Sequence, residues 1–82
     1  MDLAKNQKEA LTNYALDLGV TFAGDVEECQ IYNEEGIMHD VTLRCILKEL
    51  IQQISIEEIM YDVLEDYSVL VPVCVLEEFI NK

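Results

Sequence analysis

Five carboxylates lie within residues 57–66 of this 82-residue sequence, and we call them the first acidic cluster: Glu57, Glu58, Asp62, Glu65 and Asp66. If the segment is helical, a rise of about 1.5 Å per residue puts one negative charge on roughly every 3 Å of helix axis. Charges along one DNA strand have a similar spacing of about 3.4 Å. No Lys or Arg lies three or four residues away to neutralise them. The cluster and the neighbouring Tyr61 therefore predict a surface that binds a basic protein, and a solvated face without a partner is the alternative.

A second acidic cluster precedes the first one in the chain and consists of Asp25, Glu27, Glu28, Glu34 and Glu35. Helix capping and the helix dipole explain part of this charge, because carboxylates stabilise the first turn of a helix. We nevertheless include Glu27, Glu28, Glu34 and Glu35 among the predicted partner-binding residues. If both clusters lie on one face, that face mimics a phosphate backbone, but the sequence leaves open whether they do.

Thiol and imidazole groups are the other reactive side chains, namely Cys29, Cys45, Cys74 and His39. They are zinc-ligand types, but the sequence lacks the Cys-x-x-Cys spacing that usually builds a structural zinc site. Cys45 and His39 have the chemistry of a nucleophile pair, yet no third group that would orient the histidine is identifiable. We therefore predict no catalytic residue, no metal and no cofactor, and we do not expect an enzyme.

The composition favours one folded domain, residues 1–82. Hydrophobic residues make up 51% of the chain, which is enough to form a core, and the formal net charge is -12. With only five bases, so acidic a surface repels nucleic acid and anionic lipid. The three cysteines are odd in number and widely spaced, and no signal peptide or membrane-spanning apolar run is recognisable. These features predict a cytoplasmic protein with no membrane contact.

The segment Val41–Ile54 is the clearest helix in the sequence. Its apolar residues recur at alternating steps of three and one, which confines them to an arc of roughly 140°. They are Leu43, Ile46, Leu47, Leu50, Ile51 and Ile54. Asp40 is the predicted N-cap. Arg44 and Lys48 lie on the opposite side beside Cys45, and we expect these two bases to neutralise carboxylates of a neighbouring helix or subunit.

A further amphipathic helix follows with almost no linker. Ser55 and Glu58 have the spacing of a capping box, which predicts a helix that runs to about Asp66. Its predicted apolar face consists of Ile56, Ile59, Met60, Val63, Leu64 and Tyr67. The first acidic cluster therefore lies mainly on the opposite, solvent-exposed side of this helix.

The N-terminal part of the sequence indicates one helix, followed by a second element that is either a short helix or a hairpin. The first helix extends from about Asp2 to Leu18 and ends at Gly19, a residue suited to the left-handed conformation after a helix. Asp25 and Glu28 then have the spacing of a capping box for a short helix that Gly36 would end, and we favour this helix. The alternative is a hairpin in which residues 30–32 and 37–39 pair around a turn at 33–36.

Residues 69–80 form an apolar tail. Pro72 predicts a break at residues 68–71 and a last helix after it. Apolar side chains would point nearly all round that helix, so it is either sandwiched inside the fold or shared with a second subunit. The residues predicted to form such a dimer interface are Val73, Leu76, Phe79 and Ile80.

Together these patterns predict a mainly α, compact single domain of four to five short helices, or an α+β domain if the hairpin near residues 30–39 forms. The predicted function is that of a small acidic inhibitor that occupies the basic, nucleic-acid-binding surface of a partner protein. Small phage-encoded antagonists of host nucleases or defence systems act in this way, and the analogy rests on size and charge. The alternative is a homodimeric regulatory or adaptor module that uses residues 69–80.

Overall fold

The computed structural model describes residues 3–20 and 31–82, and in these residues the protein is mainly helical, as predicted. The described residues contain four helices, α1 (Lys5–Asp17), α2 (Asp40–Leu50), α3 (Ile56–Tyr67) and α4 (Val73–Ile80). Helices α1 and α4 each pack against both α2 and α3. Some predictions lie outside the described residues. They are the start of a helix at Asp25 and the roles considered for Asp25, Glu27, Glu28 and Cys29.

Helix α1 ends as predicted, but it begins at Lys5, three residues after the predicted start. Gly19 follows the helix with a φ of +78°, the left-handed conformation that glycine adopts without steric cost. Leu11, Tyr14 and Ala15 are buried as the pattern requires, whereas Leu18 at the helix end is 50% exposed. Leu18 is one of the residues that line a groove at this end of the helix.

Helix α2 begins one residue earlier than predicted, at Asp40, and ends four residues earlier. His39 rather than Asp40 is the N-cap residue, and the helix ends at Leu50 instead of Ile54. The amides of Gln52 and Gln53 bond to carbonyls three residues back, which tightens the chain into turns. The chain leaves the helix here because Ser55 adopts an extended conformation and accepts a hydrogen bond from the amide of Glu58, which starts α3.

The break between α3 and α4 is where Pro72 predicted it. Ser68 ends α3 in the left-handed conformation, and Pro72 is extended immediately before α4. Residues 68–72 are not helical, since proline disfavours a helical conformation of the residue before it.

Residues 31–39 correct the prediction of a helix that continues to Gly36. Residues 32–39 are not helical, and a single antiparallel bridge joins Tyr32 to Met38. The side chain of Asn33 accepts hydrogen bonds from the amides of Glu35 and Ile37, which stabilises the turn. The hairpin alternative therefore describes the turn correctly, although this bridge does not extend into strands within the described residues.

The core is formed by side chains from all four helices, with α4 enclosed between α2 and α3. Leu76, Phe79 and Ile80 are no more than 2% exposed. Thr12 is the one polar side chain buried in the described core, and its hydroxyl oxygen accepts a hydrogen bond of 3.1 Å from the amide of Met38. This bond connects α1 to the turn before α2 and satisfies a backbone group that is removed from water.

Candidate protein-binding surface

The first acidic cluster lies on the outer side of α3. Glu57, Glu58, Glu65 and Asp66 are exposed, and Asp62 is half-buried. Tyr61 is 62% exposed among them. An aromatic ring in a surface of carboxylates offers both apolar contact and a hydroxyl group to a partner. The predicted separation of an apolar and an acidic side of this helix is confirmed, except that Leu64, predicted on the apolar side, is 41% exposed.

Two tyrosines connect this surface to α1. The hydroxyl of Tyr14, a residue that is 4% exposed, donates a hydrogen bond of 2.8 Å to the Asp62 carboxylate. The hydroxyl of Tyr67 donates to the carboxylate of Asp17. Burial of Tyr14, and then its bond to Asp62, raises the pKa of the Tyr14 hydroxyl far above its usual range. The carboxylates of Asp62 on α3 and Asp17 on α1 are thus each oriented by a tyrosine of the other helix.

Sequence reasoning missed these two contacts. The spacing of apolar residues places Tyr14 on the apolar face of α1 and Tyr67 on that of α3, which is correct for their rings. A tyrosine on an apolar face next to an acidic helix is a usable signal, because a buried hydroxyl needs a hydrogen-bond partner. The partner residues Asp62 and Asp17 could not be chosen without knowing that α1 lies beside α3.

Three of the five bases make their contacts away from α3. The Lys5 ammonium lies 2.7 Å from a Glu35 carboxylate oxygen, and the Lys8 ammonium lies 2.8 Å from Asp40. The hydrogen bond and charge of Glu35 raise the pKa of Lys5. Lys5 and Lys8 therefore form ion pairs where α1 lies beside the 33–36 turn and the start of α2.

The described contacts of Arg44 are with a backbone carbonyl and a ring of α4, and neutralisation of carboxylates of a neighbouring helix or subunit by Arg44 and Lys48 stays a prediction. The Nε of Arg44 donates a hydrogen bond of 2.8 Å to the backbone carbonyl of Phe79, and its guanidinium carbon lies 4.8 Å from the centre of the Phe79 ring. The carbonyl is near the C-terminal end of α4, where the helix dipole attracts a cation. Arg44 thus stabilises the seam between α2 and α4.

The described part of the second acidic cluster lies in a different charge environment. Glu34 and Glu35 are exposed and line a cavity of about 450 Å³ together with Lys5 and Lys8. Six residues separate Lys8 from Tyr14, which places the two side chains about 120° apart around α1. Glu34 and Glu35 therefore adjoin one flank of α1 and the first acidic cluster adjoins another, so in this part the two clusters do not merge.

The candidate reactive residues that the structure describes lie outside α3. Cys45 and Cys74 are exposed free thiols on α2 and α4, and His39 is exposed at the start of α2. Within residues 3–20 and 31–82, no group of three or more His, Cys, Asp or Glu side chains is arranged to hold a metal ion.

The apolar tail takes the first of its two predicted arrangements, enclosure inside the fold. Leu76, Phe79 and Ile80 are buried within one chain, and Val73 is half-buried. Exposed residues of the tail include Leu70, which is 53% exposed, and Cys74. A dimer remains a prediction, but Leu76, Phe79 and Ile80 present almost no surface to a second copy.

Comparisons with protein-family models, with curated proteins and with solved structures give no match to this chain. In the part of the chain that the structure describes, no helix is both long enough and apolar enough to cross a membrane.

Proposed function

We propose that this protein binds the basic, nucleic-acid-binding surface of another protein and inhibits that protein by occupying the surface. One observation carries the proposal. The outer side of α3 exposes Glu57, Glu58, Glu65 and Asp66 around Tyr61, while Lys5, Lys8 and Arg44 make their contacts elsewhere. The negative charge of α3 has no base within the helix to oppose it.

Stability does not account for this arrangement of charge. Glu57 and Glu58 favour the first turn of α3, but Glu65 and Asp66 lie in its last turn, where the helix dipole is unfavourable for an acid. Glu58 and Asp62 are one helical turn apart and repel by a few tenths of a kcal/mol. A partner that supplies Lys or Arg beside these carboxylates offsets both the unfavourable helix dipole and the repulsion between carboxylates. This supports a role of the cluster in binding.

The mechanism has two steps. The field of the first acidic cluster attracts a basic surface and raises the association rate, an effect that weakens as salt screens the charges. Tyr61 then loses its exposed area against the partner and contributes much of the short-range affinity, as exposed tyrosines at interface centres do. Asp62 is held by Tyr14, so this carboxylate enters the interface already oriented.

A charge-reversal experiment tests the proposal. The variant E58K/E65K reverses two exposed charges of the cluster and leaves Asp62 with its bond to Tyr14. One new lysine lies in the first turn of α3 and one in the last, so their effects on the helix dipole offset each other. The matched control, E34K/E77K, makes the same change of net charge at exposed positions outside α3. Glu34 belongs to the second acidic cluster, which we leave out of the proposed interface because it lies beside Lys5 and Lys8 on another flank of α1.

Immobilised wild type and both variants are compared for capture of proteins from lysate of the native cell at low and high salt. We expect wild type and the control to retain the same nucleic-acid-binding protein at low salt, and E58K/E65K to retain about tenfold less of it. Equal retention by E58K/E65K, or an equal loss in E34K/E77K, would refute the proposal, because general charge and not the face of α3 would then decide binding.

A further inference from the structure

A second surface with the character of a binding site lies at one end of the helical bundle. The C-terminal ends of α1 and α2 border a groove of about 300 Å³ that we call the end groove. Its lining includes the apolar residues Leu18, Val20, Ile46, Leu50 and Ile54 and the acidic residue Glu49. Small-molecule and side-chain pockets begin at about this volume.

The apolar lining is accessible to solvent. Leu18 is 50% exposed, and Val20, Leu50 and Ile54 are only partly buried. Exposed apolar area that is contiguous, unlike single exposed residues, indicates a contact surface.

The charge around the end groove defines its occupant. Glu49 is the only charged residue in the described lining, and the C-terminal ends of two helices, which carry a partial negative charge, border the groove. Such a rim disfavours an acidic segment and favours a segment that combines an apolar side chain with flanking cations.

The end groove lies next to the start of α3, which carries the first acidic cluster. Leu18 and Val20, which follow α1, line the groove together with Ile54, which precedes α3. Glu58 in the first turn of α3 is exposed. Ile54, which lines the groove, is four residues before Glu58.

We propose that the end groove receives one apolar side chain of the partner protein, from a segment in which Lys or Arg flanks that side chain. The apolar side chain fills the groove, and the flanking cations contact Glu49 on one rim and the Glu57 and Glu58 end of the first acidic cluster on the other. This inference rests on the proposed function and adds to it: the partner is recognised by a hydrophobic anchor as well as by its charge.

Peptide titrations followed by methyl NMR test the proposal. The probe is an acetylated peptide with a single Leu between runs of Lys, and the matched probe replaces that Leu by Ser. We expect the Leu peptide to shift the methyl signals of Leu18, Val20 and Ile46 and to bind about tenfold more tightly than the Ser peptide. The variant L18N should remove this difference, whereas L70N, at a residue of similar exposure outside the groove, should keep it.

The possible contrary results separate this inference from the proposed function. Equal binding of both peptides, with shifts confined to α3, overturns the groove assignment and leaves the acidic surface intact. No binding of either peptide overturns both. If the groove signals shift with protein concentration alone and L18N abolishes the shift, the occupant is a second copy of this chain, and the assignment to a basic partner is overturned.

Discussion

Tyr14 connects the core of the protein to the first acidic cluster. Its ring is buried with α1 and its hydroxyl donates to Asp62 on α3. The hydroxyl stays protonated well above the usual range because burial, and then the Asp62 carboxylate, raises its pKa. This one residue therefore stabilises the fold and orients a carboxylate of the candidate binding surface.

The raised pKa of Tyr14 predicts a loss of stability in alkaline solution. In the unfolded chain tyrosine loses its proton near pH 10, whereas the folded protein keeps Tyr14 protonated there. The unfolded state then binds fewer protons than the native state, so the free energy of unfolding falls as pH rises above about 10. In Y14F this decline should be shallower, and near pH 7 the variant should be less stable by about 1 kcal/mol because the bond to Asp62 is lost.

Urea unfolding of wild type, Y14F and Y61F at a series of pH values measures these effects. Y61F is the matched control, because Tyr61 is 62% exposed and lies on the same helix surface. Its pH profile should follow that of the wild type. Parallel profiles for wild type and Y14F above pH 10 would contradict the role given to Tyr14.

Ser55 sets the position of α3, the helix that carries the binding surface. Its side chain accepts a hydrogen bond of 3.1 Å from the amide of Glu58, and residues 51–54 form the turns that separate α3 from α2. Removing this cap leaves an amide of the first turn without its partner.

We expect S55A to lower the stability of the protein by about 1 kcal/mol, and S55D to retain most of the wild-type stability because aspartate also caps helices. For a domain of this size, the loss corresponds to a fall of about 4–8 °C in Tm, which circular dichroism measures directly. A Tm of S55A equal to that of the wild type would show that the cap does not stabilise α3.

The helices were predictable where a pattern and a terminus signal coincide. Gly19 ends α1, Ser55 caps α3 and Pro72 precedes α4, and each of these residues imposes its conformation locally. The acidic side of α3 followed from the same reasoning, because spacing alone determines which residues share a helix face.

The errors and missed contacts occurred where two local signals compete or where contacts between elements decide the structure. The apolar pattern of α2 continues through Ile51 and Ile54, yet the helix ends at Leu50 because the adjacent cap at Ser55 starts a new helix. The turn at residues 33–36 is stabilised by Asn33 and by the bond of Lys5 to Glu35 from a distant helix. Arg44 binds a carbonyl of α4, a partner that no periodicity specifies.

At the scale of the described molecule, the two ion-paired lysines of α1 lie away from the first acidic cluster. Lys5 and Lys8 form ion pairs on the side of α1 that faces the 33–36 turn and α2, and the first acidic cluster lies on the other side along α3. A molecule with a net charge of -12 and this separation has a directional field. The account therefore predicts binding to one basic surface in a defined orientation, with strong dependence on salt.

The most direct test is displacement of nucleic acid from the partner. The protein captured in the experiment above is purified, and its binding to duplex DNA is measured by fluorescence anisotropy against rising concentrations of wild type, E58K/E65K or E34K/E77K. The account predicts that wild type and E34K/E77K displace the DNA at similar concentrations, while E58K/E65K requires about tenfold more. If the partner binds wild type and DNA at the same time, or if E58K/E65K displaces DNA as well as E34K/E77K does, the acidic surface of α3 does not occupy the nucleic-acid site.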